Sequence, residues 1–374
     1  MCLVKVMFAQ NLSDNSVKFH MNSPLSKSIL ISIASVLAVW SLLFSWSCTA
    51  HAAPKYSAVV MNANSGRVLY AENAKEQVCP ASLTKMMTLL LIFDAIKSGK
   101  LSPDQRIKIS RRASMQSPSK LGLRVGTRIS VRDAMLALAT KSANDIAVAL
   151  AEAVGTTERD FARLMTQKAR SIGMTSTTFK NASGLFARDQ KTTAMDMAKL
   201  SMHLIKRYPE QYKLFSTKVF TYSGWSHRNH NGLLWLNRGG VRYDGIKTGY
   251  IEESGFNLAA SAVKDGCRMI AVVMGGKTKK ERDNRVNLLL QAAFDGQFWS
   301  KGHKRESYSK GSRLKADPIA ELISVSTRQP AYRLDTLKDQ DSRETLIKPS
   351  KRRFYFKGKA KRGIYRRRLS QKSV

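Results

Sequence analysis

An α/β domain of the α+β kind, with one sheet assembled from both ends of a segment and packed by helices, is the fold class that the sequence predicts. Three observations predict it: strand-like alternation near residues 56–70, helical periodicity through the middle, and a return to strand patterns between residues 245 and 275. The 374 residues, 43% hydrophobic, suffice for one large domain or two smaller ones with a proper core. There are no internal repeats.

The elements follow in order. Residues 56–62 and 67–70 alternate as short strands around Asn62-Ala63-Asn64-Ser65-Gly66, whose residue types suit a hairpin turn. Residues 82–96 read as a buried helix ended by Lys97-Ser98-Gly99. Residues 131–140 and 145–154 both have helical character, and Lys141-Ser142-Ala143-Asn144 falls between them. Residues 159–172 and 194–208 add two helices, separated by a loop containing Asn181-Ala182-Ser183-Gly184-Leu185. Residues 245–251, 256–263 and 267–275 are strand candidates, the last two joined by Lys264-Asp265-Gly266, a hairpin signal. Residues 279–299 close the region as an amphipathic helix, and near Ser300 the apolar periodicity gives way to basic residues.

The flanks have their own character. Residues 29–46 are almost uninterruptedly apolar, preceded by Lys27 and followed by Ala50-His51-Ala52, which reads as the cleavage site of a secretory signal peptide before Ala53. The stretch before the apolar run is long, which suggests translation from Met21; an uncleaved N-terminal anchor is the alternative to cleavage. Either way the chain is expected to be exported to the periplasm or cell envelope. Cys2 and Cys48 belong to the leader, leaving Cys79 and Cys267, whose spacing resembles no metal site and permits one disulfide. The formal charge of +36 is uneven: residues 301–374 hold 22 Lys/Arg against 7 Asp/Glu, with no acid after Glu344. Such a tail suits anionic lipid headgroups or cell-wall polymers, with a soluble disordered tail as the alternative. The expected organisation is a leader over residues 1–52, a catalytic domain over 53–299 and a basic tail over 300–374.

Chemistry enters at Ser82-Leu83-Thr84-Lys85. At helical spacing the hydroxyl and the amine share a face, and a partly buried lysine can deprotonate a serine if its pKa is lowered. The spacing alone is weak, since Ser117/Lys120, Ser261/Lys264, Ser307/Lys310 and Ser312/Lys315 share it, and a serine at such a place often caps a helix. Two further motifs supply context: Ser142-Ala143-Asn144 between two helices and Lys247-Thr248-Gly249 in a late strand. That order of motifs is the signature of penicillin-interacting serine enzymes.

The chain resembles the D-alanyl-D-alanine carboxypeptidases, the low-molecular-mass penicillin-binding proteins of the bacterial envelope. The resemblance rests on Pro80-Ala81-Ser82-Leu83-Thr84-Lys85-Met86-Met87-Thr88, Ser142-Ala143-Asn144-Asp145, Asn181-Ala182-Ser183-Gly184-Leu185, Asn231-Gly232-Leu233-Leu234-Trp235, Asp244-Gly245-Ile246-Lys247-Thr248-Gly249-Tyr250 and Val273-Met274-Gly275-Gly276. It covers residues 53–299 and implies the serine β-lactamase/transpeptidase-like fold, a five-stranded antiparallel sheet flanked by helices. It also implies roles. Lys85 takes the Ser82 proton; Ser82 attacks the penultimate D-alanine of a peptidoglycan stem peptide; Ser142 protonates the leaving amine; Asn144 orients Lys85. Lys247 keeps Lys85 neutral and, with Thr248, Gly249 and Tyr250, forms the carboxylate-binding and oxyanion-hole wall around the reacting carbonyl. β-Lactams would acylate Ser82, and no metal or cofactor is implied.

The sequence departs from its relatives at His230 and Lys277, where they commonly carry arginines thought to hold the substrate carboxylate. Lys277 keeps the charge without the bidentate fork, and His230 titrates near neutrality. His227 and His230 also raise a Ser-His-Asp triad or metal site, which the lysine constellation makes superfluous. Four alternatives remain beside a carboxypeptidase: an endopeptidase of the same family, a β-lactamase, a non-enzymatic polyanion binder, and small structural roles for the motifs. Class A β-lactamases carry a deacylating glutamate in an E-x-x-L-N pattern that the 181–185 region lacks. No RNA or DNA recognition pattern accompanies the basic charge, so nucleic acid is not an expected partner.

Overall fold

In the computed structural model, residues 55–298 are described. The leader, the basic tail and their signals for cleavage, anchoring and polyanion contact lie outside these residues.

The main sheet has the order β2-β1-β10-β9-β8-β7, all neighbours antiparallel. Its long strands are β1 (Ser57–Asn62), β2 (Val68–Glu72), β8 (Val241–Ile251), β9 (Gly255–Lys264) and β10 (Cys267–Gly276). These are the five strands expected, with β7 (Asn237–Arg238) added at one edge as a two-residue pairing to Arg242 and Val241. The early and late strands of the described segment therefore do meet in one sheet, β1 lying against β10 with Val59 opposite Val272.

Alternation gives the sheet two buried faces. Val59, Met61, Ile270, Val272 and Met274 enter the larger core with the helices, whereas Ala58, Val60, Met269, Ala271 and Val273 pack under the last helix, α8 (Lys279–Phe294), through Val286, Leu289, Leu290 and Ala293. At the centre of the larger core runs α1 (Thr84–Lys97), with ten of its 14 residues buried. A helix apolar nearly all round belongs inside a domain. Around it stand α3 (Val131–Thr140), α4 (Asn144–Gly155), α5 (Glu158–Ser171) and α6 (Ala194–Arg207), with the one-turn helices α2 (Arg111–Ser114) and α7 (Pro209–Tyr212). Helix starts are written locally: Ser130, Thr157, Thr193 and Thr278 each accept a backbone N–H three residues on, and each has Asp or Glu there.

Four short strands have no counterpart in the sequence reading: β3 (Arg106–Lys108) with β4 (Arg128–Ser130), and β5 (Val219–Tyr222) with β6 (Trp225–Arg228). Each spans three or four residues, too few for a period of two to register. The final helix also stops five residues short of residue 299, because Gly296 adopts φ +71° just beyond it. Cys79 and Cys267 are both free thiols, so the permitted disulfide does not form; Cys267 Sγ instead lies 3.5 Å from Asn62 Nδ2.

Candidate active site

Ser82 sits in a 3-10 turn, Ala81–Leu83, that runs directly into α1. Neither end of this junction carries a side-chain cap, so the helix-capping reading of Ser82 fails. Two glycines press on the turn. A Cβ at Gly184, itself at φ +85°, would lie 1.9 Å from the Ala81 carbonyl oxygen, and one at Gly249 would lie 3.0 Å from the Ser82 nitrogen. Only glycine permits the first approach, and at Gly249 a side chain would force the turn to shift. Ala81 adopts φ +47°, so the residue before the serine is itself strained.

One turn along α1, Lys85 is fully buried and its Nζ lies among three oxygens: Ser82 Oγ at 2.8 Å, Asn144 Oδ1 at 2.7 Å and the Ser183 carbonyl at 2.5 Å. Amide and carbonyl oxygens can only accept, so they take two N–H bonds whatever the lysine's charge. The third direction faces Ser82. A charged Lys85 donates there; a neutral one presents its lone pair to the serine proton. Burial is the chief cause holding the Lys85 pKa well below that of an ordinary lysine, followed by the charge of Lys247, with Asp145 pulling the other way. Neutral Lys85 is thus the form the site favours.

Asn144 is placed by the turn between α3 and α4. Its Nδ2 donates to the carbonyls of Ser117 and Pro118, which leaves Oδ1 directed to Lys85. Asp145 accepts from the backbone amides of Leu121, Gly122 and Leu123, so the 117–123 segment and the Ser142-Ala143-Asn144 turn are tied together. Ser142 does not cap α4, whose N-cap is Ala143. It is 5% exposed at φ +61°, and its Oγ has no hydrogen-bond partner. A buried, unpartnered hydroxyl held in a strained backbone is an unusual expense for a purely structural residue.

Lys247 lies in β8 opposite Ala259 of β9, 2% exposed, so it is not a solvated edge charge. Its Nζ donates to the Thr248 carbonyl at 2.9 Å. Burial, and then Arg282, lowers its pKa to about 7, so near neutrality it is charged in only part of the molecules. Thr248 is 6% exposed beside it, while Tyr250 is 55% exposed, its ring tilted against Phe256 with centroids 4.3 Å apart. The sequence-predicted residues thus divide in two. Ser82, Lys85, Ser142, Asn144, Lys247, Thr248 and Gly249 belong to the buried cluster or its walls. His230 and Lys277 are exposed: His230 follows β6 on a loop that Asn231 anchors to the Gly245 carbonyl, and Lys277 follows β10 with its backbone N–H on Glu281. His227 is in β6, stacked on Phe220, and among the described residues no three His, Cys, Asp or Glu side chains gather as a metal site. Cys79 is a half-buried thiol whose pKa is pushed up by burial, contrary to what a nucleophile needs.

Sequence reasoning gave no role to Ser183, Gly184 or Asp145. A residue that contributes a carbonyl leaves no side-chain signature; the glycine of Asn181-Ala182-Ser183-Gly184-Leu185 was the available clue. The other described Ser-x-x-Lys pairs are dispersed: Ser261 bonds Tyr212 and Asp244 within β9, and Lys120 donates to the Ser114 carbonyl.

An α+β sheet with a serine and a buried lysine of depressed pKa at the head of its central helix, walled by Ser-Ala-Asn and Lys-Thr-Gly, defines a serine acyl-transfer enzyme of the penicillin-binding and transpeptidase class. The family profile of the D-alanyl-D-alanine carboxypeptidases matches residues 47–278. The chain belongs to that family, and is a serine-type peptidase. It is similar to the D-alanyl-D-alanine carboxypeptidase DacF of Bacillus subtilis, 34% identical over 291 residues covering 76% of this chain and 73% of DacF. To DacD of Escherichia coli it is 39% identical over 239 residues, 62% of this chain and 61% of DacD. Among solved structures, penicillin-binding protein D2 of Listeria monocytogenes in its ampicillin-bound form has a TM-score of 0.58 at 32% identity, covering 64% of this chain and 96% of that one.

Proposed function

We propose that this protein removes the terminal D-alanine from peptidoglycan stem peptides through a Ser82 acyl-enzyme, and that β-lactams trap the same serine. The observation that carries the reading is the disposition of Lys85 Nζ, with two N–H bonds held by Asn144 and Ser183 and its third position on Ser82 Oγ. The Ser82 proton passes to the Lys85 lone pair as Oγ bonds to the carbonyl carbon of the penultimate D-alanine. The amides of Ser82 and Tyr250 take the developing oxyanion. The C–N bond to the terminal D-alanine breaks, and its nitrogen receives a proton through the Ser142 hydroxyl. Water then releases the acyl group. Lys247 and Thr248 hold the terminal carboxylate, which itself favours the charged form of Lys247.

A β-lactamase of class A type would need a free carboxylate to activate the deacylating water. Among the described residues Glu158 is a carboxylate that bonds the 181–185 loop, and both its oxygens are occupied, by Arg112 and by the Ala182 amide. Slow penicillin release is therefore the expected behaviour. Export of the chain, with the basic tail on anionic lipid or wall polymer, completes the proposal.

Labelling with a fluorescent penicillin should be strong in the wild type and absent in Ser82→Ala; labelling that survives the substitution would sink the nucleophile assignment. Mass analysis of digested muropeptides decides the substrate: loss of one alanine mass marks a carboxypeptidase, and splitting of cross-linked dimers marks an endopeptidase. Deleting residues 301–374 should reduce association with anionic vesicles or isolated wall at low salt, and unchanged association would remove the tail from the account.

A further inference from the structure

Lys85 can present its lone pair to Ser82 only while both of its other N–H bonds stay on fixed acceptors. One acceptor, the Ser183 carbonyl, belongs to a loop, and a loop carbonyl keeps its direction only if its neighbours are pinned. The residue before it is pinned at both ends. The Ala182 carbonyl accepts from Thr88 Oγ1 at 2.7 Å, and Thr88 lies on α1 three residues beyond Lys85. The Ala182 N–H donates to Glu158 Oε1 at 3.1 Å.

Glu158 opens α5 and is 4% exposed. Its other oxygen, Oε2, accepts from Arg112 Nε at 2.8 Å and Nη2 at 2.5 Å, a side-on fork from α2. The Arg112 side chain is 63% exposed. A carboxylate in the first turn of a helix has a bland role, compensating the helix dipole. That role needs neither burial nor a bond to a distant backbone amide. Here a buried carboxylate spends one oxygen on a guanidinium and the other on the peptide adjoining the acceptor of Lys85.

We propose that Glu158 and Arg112 are positioning residues for acylation: they fix the Ala182-Ser183 segment so that the Ser183 carbonyl holds Lys85 with its lone pair on Ser82. This rests on the reading of Lys85 as the base. The path is Arg112 to Glu158 to Ala182, then one residue to Ser183 and across to Lys85. If the segment loosens, two things follow. The lone pair drifts from Ser82, which slows proton transfer without altering how a ligand first docks. Water also reaches a buried amine whose low pKa comes first from burial, so that pKa rises. Lys247 from β8 and Asp145 from α4 are the charged groups bearing on Lys85, and neither is touched by this change.

The test uses the purified full chain and separates the initial dissociation constant for penicillin from the acylation rate constant across a range of pH. Glu158→Gln leaves one oxygen where two are needed and sets an NH2 against either Arg112 or the Ala182 N–H. It should slow acylation about tenfold or more, the cost of a lost charge-assisted bond, while the dissociation constant stays within about twofold. The acidic limb of the acylation rate should move to higher pH. Arg112→Gln, at a largely exposed side chain, should do the same to a lesser degree, and Arg112→Lys should recover part of the loss.

A fall in the amount of active enzyme, with rate constant and acidic limb as in the wild type, would mean a merely structural role and overturn the proposal. If Glu158→Gln does not fold, Arg112→Gln carries the same comparison. Ser82→Ala, run in parallel, keeps the two readings apart. Acylation surviving there overturns the nucleophile assignment, whereas a dead Ser82→Ala beside a wild-type-like Arg112→Gln overturns only the positioning.

Discussion

Lys85 and Lys247 are both buried amines, and the charge of Lys247 bears on Lys85, yet they are held in different ways. Lys85 is surrounded by three oxygens supplied from the 81–83 turn, the Ser142-Ala143-Asn144 turn and the 181–185 loop. Lys247 reaches back to the carbonyl of its own neighbour, Thr248. The first arrangement fixes the direction of a lone pair; the second leaves N–H bonds for an arriving anion. A base and an anion receptor can thus be built from the same side chain in the same interior, the difference lying in how many acceptors the fold supplies.

Substitution at the two lysines should expose that difference. Lys85→Met keeps the volume and removes the base, and acylation by penicillin should fall about a thousandfold, measured as the second-order rate of covalent labelling. A loss below tenfold would mean another group takes the proton. Lys247→Met should chiefly weaken initial binding, by about tenfold or more for a lost buried charge-assisted bond, with the acylation step itself less affected. It should also shift the acidic limb of acylation to higher pH, because removing a neighbouring positive charge lets Lys85 bind a proton more readily. If Lys247→Met left that limb in place, the two amines would not be coupled.

Ser142→Gly sharpens the contrast from the side of stability. It removes a left-handed non-glycine residue and a buried hydroxyl without a partner, so the variant should gain about 1–2 kcal/mol in denaturant unfolding while turning over substrate more slowly. A variant both slower and less stable would mean that the hydroxyl is satisfied in solution. The smallest expected effect is a proton count. With Lys247 at about 7 in the free protein, a carboxylate beside it should raise that value, so noncovalent ligand binding to Ser82→Ala at pH 8 should take up a fraction of a proton. Calorimetry in buffers of different ionisation enthalpy measures it; proton release would have the wrong sign.

The linkage for folding runs in the same direction for both lysines. Each has a depressed pKa in the folded state, so its contribution to stability is complete above the ordinary lysine value and is lost as pH falls, for Lys247 through about 7.

Much of this was legible in the sequence because side chains carry it. The buried helix after Ser82, the strand patterns of β8 to β10 and the three short motifs all depend on residue type and spacing, and their positions agree with the structure to within a few residues. The small hairpins β3–β4 and β5–β6 are too brief to leave a period. What sequence could not carry was the backbone. The Ser183 carbonyl, the Ala182 amide and the Asp145-bound amides of residues 121–123 have no letter of their own. His230 and Lys277 stand out in sequence, yet both are exposed rather than part of the buried cluster.

The two glycines that crowd the Ala81-Ser82 peptide bear on drug resistance. Selection by a β-lactam rewards any change that obstructs the nucleophile for the drug but spares it for the stem peptide. At position 184 even a methyl group would collide with the turn that carries the serine, and at 249 it would push that turn aside, so both changes act on drug and peptide together. A change that separates the two ligands has to fall elsewhere, and Tyr250, His230 and Lys277 are exposed positions with no such crowding against the serine turn.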